Sequence, residues 1–155
     1  MEDLVQSYAE GFNRLSVAIE GLSEELLLYK PAENRWCIKK VVIHLCDAEM
    51  IALDRMKRII AEPNPLFFKF DPDAWALRLQ YSSLDMSVFL SLFAALRASM
   101  VPILRGLSEE DWARTGVHNQ NGKLTLQELV AMFVHHLDRH IQQIERNKKA
   151  FAEQR

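Results

Sequence analysis

The sequence contains five histidines, and three of them fall within six residues near its C-terminal end. His136 and His140 are four residues apart, so on an α-helix both imidazoles lie on the same face, one turn from each other. Two imidazoles in this arrangement can bind one first-row metal ion from the same side. His135 is rotated by about 100° around the helix axis, and we expect it to point away from this pair.

A metal site built on this pair needs a third ligand, and His44 is the expected donor. Three protein nitrogens with one open position form the donor set of a catalytic metal centre, because the open position binds water or substrate. Asp47 follows His44 by three residues, and we expect its carboxylate to accept the free N–H of a liganding imidazole. His118 lies in a polar stretch; we expect it to brace that loop or, like Asp47, to assist proton transfer.

Each of these residues also has a purely structural interpretation. An H-x-x-x-H pair arises often by chance on helices, and His44 alone is typical of a hydrogen-bonded core histidine. Cys37 and Cys46 are typical of small buried apolar residues. Nine residues apart on one helix, their Cα atoms are about 13 Å from each other, which excludes a disulfide.

The elements that must position the histidines are helices. Apolar residues recur at spacings of three and four in four stretches, covering residues 4–19, 36–61, 83–105 and 126–150. Pro63 and Pro65 end the second helix, and Asp85 or Ser83 caps the third. Capping boxes begin at Ser108 and at Thr125, the latter opening the fourth helix.

The pattern contains no convincing strand and predicts an all-α protein. We expect one domain over residues 1–155, a four-helix bundle in which a long crossover loop, 62–84, joins the second and third helices. Residues 116–123 are expected to form a polar loop. The loop 62–84 is rich in aromatic residues, and we expect it to pack on the core or to line the site.

Composition narrows the function classes. Apolar residues make up 49% and charged residues 26% of the 155 residues, which argues against disorder. The formal charge of −2 lacks the basic excess of a nucleic-acid-binding domain. We find no secretory signal, and the most apolar stretch, 89–104, is interrupted by polar residues, so we expect a cytoplasmic protein without a membrane span. The apolar third helix is the expected surface of a homodimer.

The motifs together resemble one family. The segment WCIKKVVIHLCDAE, from Trp36 to Glu49, resembles the W-S-x-x-E-V-x-x-H-L-x-D-x-E signature of the DinB-like superfamily. The segment GKLTLQELV at 122–130, followed by H-x-x-x-H-x-x-Q-I from His136, resembles its C-terminal signature. Cys37 and Lys40 depart from the commonest family residues, but neither is a proposed ligand.

The resemblance implies a four-helix bundle in which His44, His136 and His140 hold a divalent metal, for which imidazole donors favour Zn or Ni. Family members include a mycothiol-dependent maleylpyruvate isomerase and bacillithiol S-transferases, and others are known only as damage- or stress-related proteins. The resemblance therefore implies a thiol S-transferase or a hydrolase. Its partners would be a small-molecule electrophile and a low-molecular-weight thiol.

Two other functions are also compatible with the sequence. One is a non-catalytic metal-binding stress-response module, and the other is a dimeric scaffold whose histidines are simply buried. The coordination shell distinguishes catalysis from the first alternative, because a structural site is normally closed by four protein ligands. A fourth ligand from Cys37, Asp47 or His118 would favour the non-catalytic module.

Overall fold

Four helical segments form the main body of the computed structural model, which describes residues 1–154. The helices are α1 Glu2–Ala9, α2 Gly11–Ile19, α3 Glu24–Leu28, α4 Ile38–Ala61, α5 Pro72–Arg78, α6 Met86–Arg105, α7 Glu109–Trp112 and α8 Leu126–Ala152. The long helix α4 packs against both α6 and α8, and α1 and α2 together form the fourth segment. The predicted four-helix bundle is therefore confirmed.

The first predicted helix, 4–19, is interrupted at Glu10, between α1 and α2. The cause lies in the core, where Arg97 of α6 donates from Nη1 to the backbone carbonyl of Tyr8 at 2.9 Å. A side-chain donor that takes a helix carbonyl disturbs the backbone ladder at that turn. Gly11 permits this approach, since a Cβ there would overlap Arg97 Nη1 and lie 2.7 Å from Leu137 Cδ2.

The prediction that the chain has no strand is wrong. A three-stranded sheet consists of β1 Leu66–Phe67, β2 Thr115–His118 and β3 Gly122–Thr125, in the order β1-β2-β3. β1 pairs parallel to β2, and β2 with β3 forms an antiparallel hairpin in the stretch predicted to be a polar loop. Strands of two to four residues carry too little alternation for sequence periodicity to detect.

The connection 62–84 contains more structure than a crossover loop. Besides β1 it holds α5, whose Asp71 side chain accepts from the backbone N–H groups of Asp73 and Ala74, and a 3₁₀ turn over Tyr81–Ser83. The Tyr81 hydroxyl donates to the Asp47 carboxylate, which fastens this connection to α4. The connection therefore has a fixed position beside the bundle.

Three helices, α6, α7 and α8, begin at capping residues that the sequence predicted. Both predicted capping boxes are present, at Ser108–Asp111 and at Thr125–Glu128, and Asp85 accepts from the backbone N–H of Ser87 at the start of α6. Cys37 is the N-cap residue of α4, so this helix begins two residues later than predicted. α6 continues past Pro102 to Arg105, and α8 ends at Ala152, two residues beyond the predicted end.

Among the described residues, α6 is long and apolar enough to cross a membrane by length and composition alone. Length and composition alone thus do not confirm the expectation that the stretch 89–104 is too interrupted by polar residues to span a membrane. Core helices of soluble proteins meet the same criterion, however, and one face of α6 packs in the bundle through Phe93, Arg97, Met100 and Leu104.

Candidate metal centre

Three imidazoles converge where α4 and α8 face each other. Nε2 of His136 lies 3.2 Å from Nε2 of His44 and 3.1 Å from Nε2 of His140. One ligand atom from each of the three residues lies within 4.8 Å of the others. A tetrahedral ion with metal–nitrogen distances of about 2.0–2.1 Å requires its ligand nitrogens about 3.3 Å apart, so the spacing fits a single first-row metal.

The protonation of the three rings also fits a metal. Burial, reinforced by the neighbouring His140, lowers the pKa of His44 to about 3. Burial, with its histidine and arginine neighbours, lowers the pKa of His136 to about 2, and burial lowers that of His140 as well. All three imidazoles are therefore neutral at pH 7, which is the form that binds metals.

Gln143 orients one of the three rings. Its side-chain oxygen lies 2.9 Å from Nδ1 of His140. Because an amide oxygen only accepts, the proton of His140 resides on Nδ1 and the lone pair of Nε2 faces the other two imidazoles. A hydrogen bond to the far nitrogen of a liganding imidazole is typical of metal sites.

Asp47 has a different hydrogen-bond partner from the one expected. Its carboxylate accepts from the Tyr81 hydroxyl, while Nδ1 of His44 is buried without a hydrogen-bond partner in residues 1–154. Asp47 also does not line the cleft above the histidines. Burial raises the pKa of Asp47, although the Tyr81 bond acts in the opposite direction. In the structure this carboxylate anchors the 62–84 connection and does not orient an imidazole.

His118 is placed at the end of β2, where it lines the same cleft as the three histidines but is not part of their group. Its Nδ1 accepts from the backbone N–H groups of Gln120 at 3.1 Å and Asn121 at 3.2 Å, so the ring braces the hairpin turn. Burial, and then the charge of Arg55, lowers its pKa. His135 points away as expected, with 77% of its side chain exposed.

An open cleft of about 680 Å³ lies over the three imidazoles. Trp36 and Phe133 contact the histidines edge-on, with ring centroids 5.1 Å from His44 and 5.7 Å from His136 respectively. Phe70, from the 62–84 connection, completes an aromatic wall. The expectation that this connection lines the site therefore agrees with the structure, and the cleft leaves one side of the histidine group accessible.

A buried ionic network that sequence reasoning did not identify lies beside the site. Arg97 donates to Glu49 Oε2 from Nε at 3.1 Å and from Nη2 at 3.0 Å, and Nη2 also reaches the Phe133 carbonyl at 3.3 Å. The Tyr8 hydroxyl donates to the other Glu49 oxygen. The network joins α1, α4, α6 and α8. Its signal in the sequence is Arg97 itself, a charged residue in the middle of an otherwise apolar stretch of α6.

A helical bundle that presents three neutral imidazoles to an open cleft defines a protein with a candidate metal centre. Comparison with known proteins identifies the family. The chain belongs to the DinB superfamily, whose family model matches residues 8–144. The recognition made from the sequence motifs is thus confirmed.

Relatives with sequence similarity have names that refer to metal-dependent chemistry. A protein of Oceanobacillus iheyensis named "Putative metal-dependent hydrolase" is 32% identical over 123 residues, which is 79% of this chain and 71% of the relative. A protein of Geobacillus kaustophilus with the same description is 30% identical over 131 residues, covering 84% of this chain and 74% of the relative.

Two solved structures share the fold. YfiT from Bacillus subtilis, described as a probable metal-dependent hydrolase with an unusual four-helix bundle topology, matches with a TM-score of 0.91 and 24% identity, over 97% of this chain and 87% of that chain. The mycothiol-dependent maleylpyruvate isomerase matches with a TM-score of 0.69 and 14% identity, over 90% of this chain and 58% of that chain.

Proposed function

We propose that the chain is a divalent-metal-dependent enzyme that activates a thiol or a water molecule to attack a small electrophile. The observation that carries the proposal is the convergence of three neutral imidazoles under an open cleft. His44, His136 and His140 would hold the ion, for which zinc and nickel suit the donor set. A divalent ion supplies Lewis acidity, which makes a thiol or water nucleophilic near neutral pH.

The absence of a fourth protein ligand supports catalysis over a structural role. Within the described chain, the metal-capable group consists of the three histidines. Cys37 is buried as the N-cap of α4, Asp47 is bonded to Tyr81, and Nδ1 of His118 is occupied by two backbone donors. These three residues therefore do not close the site, which favours an enzyme over the non-catalytic module.

His118 is the residue that we assign to proton transfer or substrate polarisation. Because its Nδ1 accepts two N–H groups, the single proton of the neutral ring resides on Nε2. The ring can then donate a hydrogen bond to a substrate in the cleft that it lines. Asp47 would act indirectly, by holding the connection that bears Phe70 over the site.

The reaction class is transfer of a low-molecular-weight thiol to an electrophile, with hydrolysis as the variant in which water attacks. Relatives named as metal-dependent hydrolases support the hydrolytic variant, and a fold neighbour that depends on mycothiol supports the thiol variant. The aromatic wall supports both variants, since it limits water around a reacting group.

Metal analysis of three purified proteins tests the proposal first. The wild type is expected to carry about one zinc or nickel ion per chain, and His136→Ala is expected to lose it. His135→Ala is the matched control, because it removes the adjacent, exposed imidazole and should retain the metal. Equal metal content in the wild type and His136→Ala would refute the site.

Turnover tests the second half of the proposal. The metal-loaded protein is assayed with 1-chloro-2,4-dinitrobenzene and a panel of thiols, and with 4-nitrophenyl acetate for hydrolysis. Activity that disappears in His136→Ala and persists in His135→Ala is expected. A protein that binds metal but turns over neither substrate class would favour the non-catalytic metal-binding module.

We also propose that a second copy of this chain covers the outer face of α6. That face carries exposed apolar side chains, including Val88, Leu92 and Ile103, and its other exposed residues before Arg105 are uncharged. Because this face carries no charge, two copies of the chain can associate through it without like-charge repulsion. Sedimentation should give a dimer for the wild type and a monomer for Leu92→Glu; a wild-type monomer would refute this interface.

A further inference from the structure

The cleft is far more positive than the protein that contains it. The whole chain has 19 basic and 21 acidic residues, whereas the cleft lining contains five cationic side chains and a single carboxylate, that of Asp73. The cationic side chains that line the cleft are Arg35, Arg55, Lys69, Arg139 and Arg146. Basic residues are thus concentrated around the three imidazoles.

Among the described residues, none of these five cations has a carboxylate within salt-bridge distance. In the part of the chain that the structure describes, the salt bridges engage other basic residues, such as Arg14, Lys39 and Arg58, and none of the five that line the cleft. An unpaired cation in a concave site attracts anions, because low-dielectric walls focus its field. The five charges therefore remain available to a bound molecule.

Arg55 is the most informative of the five, because it is buried. Only 8% of the residue is exposed, and its one hydrogen bond is from Nη2 to the Phe68 carbonyl, at 2.7 Å. Burying a cation without a carboxylate partner is costly, and a guanidinium has five N–H donors to satisfy. A bound anion at the cleft wall would supply both the missing charge and the missing acceptors.

The cations flank the imidazoles on two sides. On α8, Arg139 and Arg146 lie in one row with His136 and Gln143, since these positions alternate in spacings of three and four. On α4, Arg55 lies close enough to His118 for its charge to act on that ring. A molecule that occupies the cleft is therefore exposed to positive charges from both α4 and α8.

We propose that the cleft selects small molecules carrying carboxylate or phosphate groups, which the arginines bind while the reactive end lies over the three imidazoles. The placement of the reactive end rests on the proposed function; the anion selectivity does not. Bidentate hydrogen bonding makes arginine suited to both carboxylate and phosphate groups. His118 adds a neutral N–H donor, so its ring complements an anion as well.

Calorimetric titration of the zinc-loaded protein with matched probes tests this selectivity. Succinate is compared with succinamide, which has nearly the same shape without the charges, and inorganic phosphate shows whether a phosphate group is accepted as well. We expect succinate to bind at least about tenfold more tightly than succinamide, and the difference to shrink as salt is added. Equal binding of the two probes would overturn the proposal.

Charge-removal variants locate the effect. Arg139→Gln and Arg146→Gln are each expected to weaken succinate binding about tenfold, the loss typical of one charged hydrogen bond. Lys149→Gln is the matched control, because Lys149 is on the same helix, is 78% exposed and does not line the cleft. A control that weakens binding as much as the arginine variants would also overturn the proposal.

The same titrations without added zinc separate this inference from the proposed function. If the protein binds no metal, the proposed function fails, but a preference for succinate that depends on Arg139 and Arg146 still supports the cationic cleft. If zinc binds and the arginine variants bind succinate as the wild type does, the anion site is refuted and the metal site stands. Arg55 is left unchanged, because its burial would confuse binding with folding.

Discussion

Replacing Arg97 with methionine is expected to lower the free energy of unfolding by about 3–5 kcal/mol. The guanidinium makes two hydrogen bonds to Glu49 and one each to the carbonyls of Tyr8 and Phe133. Methionine fills much of the same volume, so the main loss is electrostatic. The Glu49 residue is only 1% exposed, and its carboxylate would remain buried with the Tyr8 hydroxyl as its partner.

Urea denaturation followed by circular dichroism measures this loss, which corresponds to a decrease in Tm of roughly 6–20 °C for a chain of this size. Adding Glu49→Leu to Arg97→Met removes the stranded carboxylate and should recover more than half of the loss. Arg58→Ala is the control, since this exposed arginine pairs with Asp54 at the surface and its loss should cost far less stability than Arg97→Met. An Arg97→Met loss as small as that of the control would refute the reasoning.

Three further predictions concern packing, pH and the metal. Gly11→Ala is expected to cost about 1–3 kcal/mol, since its Cβ would overlap the buried guanidinium, whereas Gly106→Ala meets only ordinary contacts at 3.6 Å and should cost nothing. Without metal, the free energy of unfolding is expected to fall as the pH drops below about 6.5, because His44 and His136 bind protons in the unfolded chain but not when buried in the folded one. Each of these histidines contributes a slope of about 1.4 kcal/mol per pH unit. Gln143→Leu is expected to weaken zinc binding about 10- to 100-fold, because it leaves His140 unoriented.

Each of these predictions has a matched measurement. Thermal melting compares the two glycine variants, and equal losses would contradict the packing argument. Urea denaturation in a chelator at pH 7 and pH 5 tests the histidine linkage, which would be refuted if His136→Ala showed the same pH dependence as the wild type. Competition with a fluorescent zinc chelator compares Gln143→Leu with Gln142→Leu, an exposed neighbour, and equal affinities would remove the orienting role of Gln143.

Local sequence signals located the long helices well. Periodicity and capping residues predicted α4, α6 and α8 to within a few residues, because both depend on contacts within one or two turns. The same register separated His136 and His140 from the exposed His135. The motif around His44 then indicated the third imidazole, although only the folded chain brings it within hydrogen-bond distance of His136.

Long-range contacts decided what the sequence did not show. The strand β1 exists because Leu66 and Phe67 pair with Val117 and His118, far away along the chain, and a strand this short has no periodic signal of its own. The expected bond from an imidazole to Asp47 was replaced by one from Tyr81, a residue whose position depends on how the 62–84 connection folds back onto α4. No local rule specifies either contact.

The sequence by itself determined the helices, the face that carries two of the imidazoles and the family. Tertiary structure decided the chemistry around them: the cleft, its cationic lining and the burial that keeps the imidazoles neutral. The physical reason is that periodicity and capping act within a few residues, whereas desolvation and charge depend on which distant side chains meet. A chain with a formal charge of −2 thus forms a positively charged cleft.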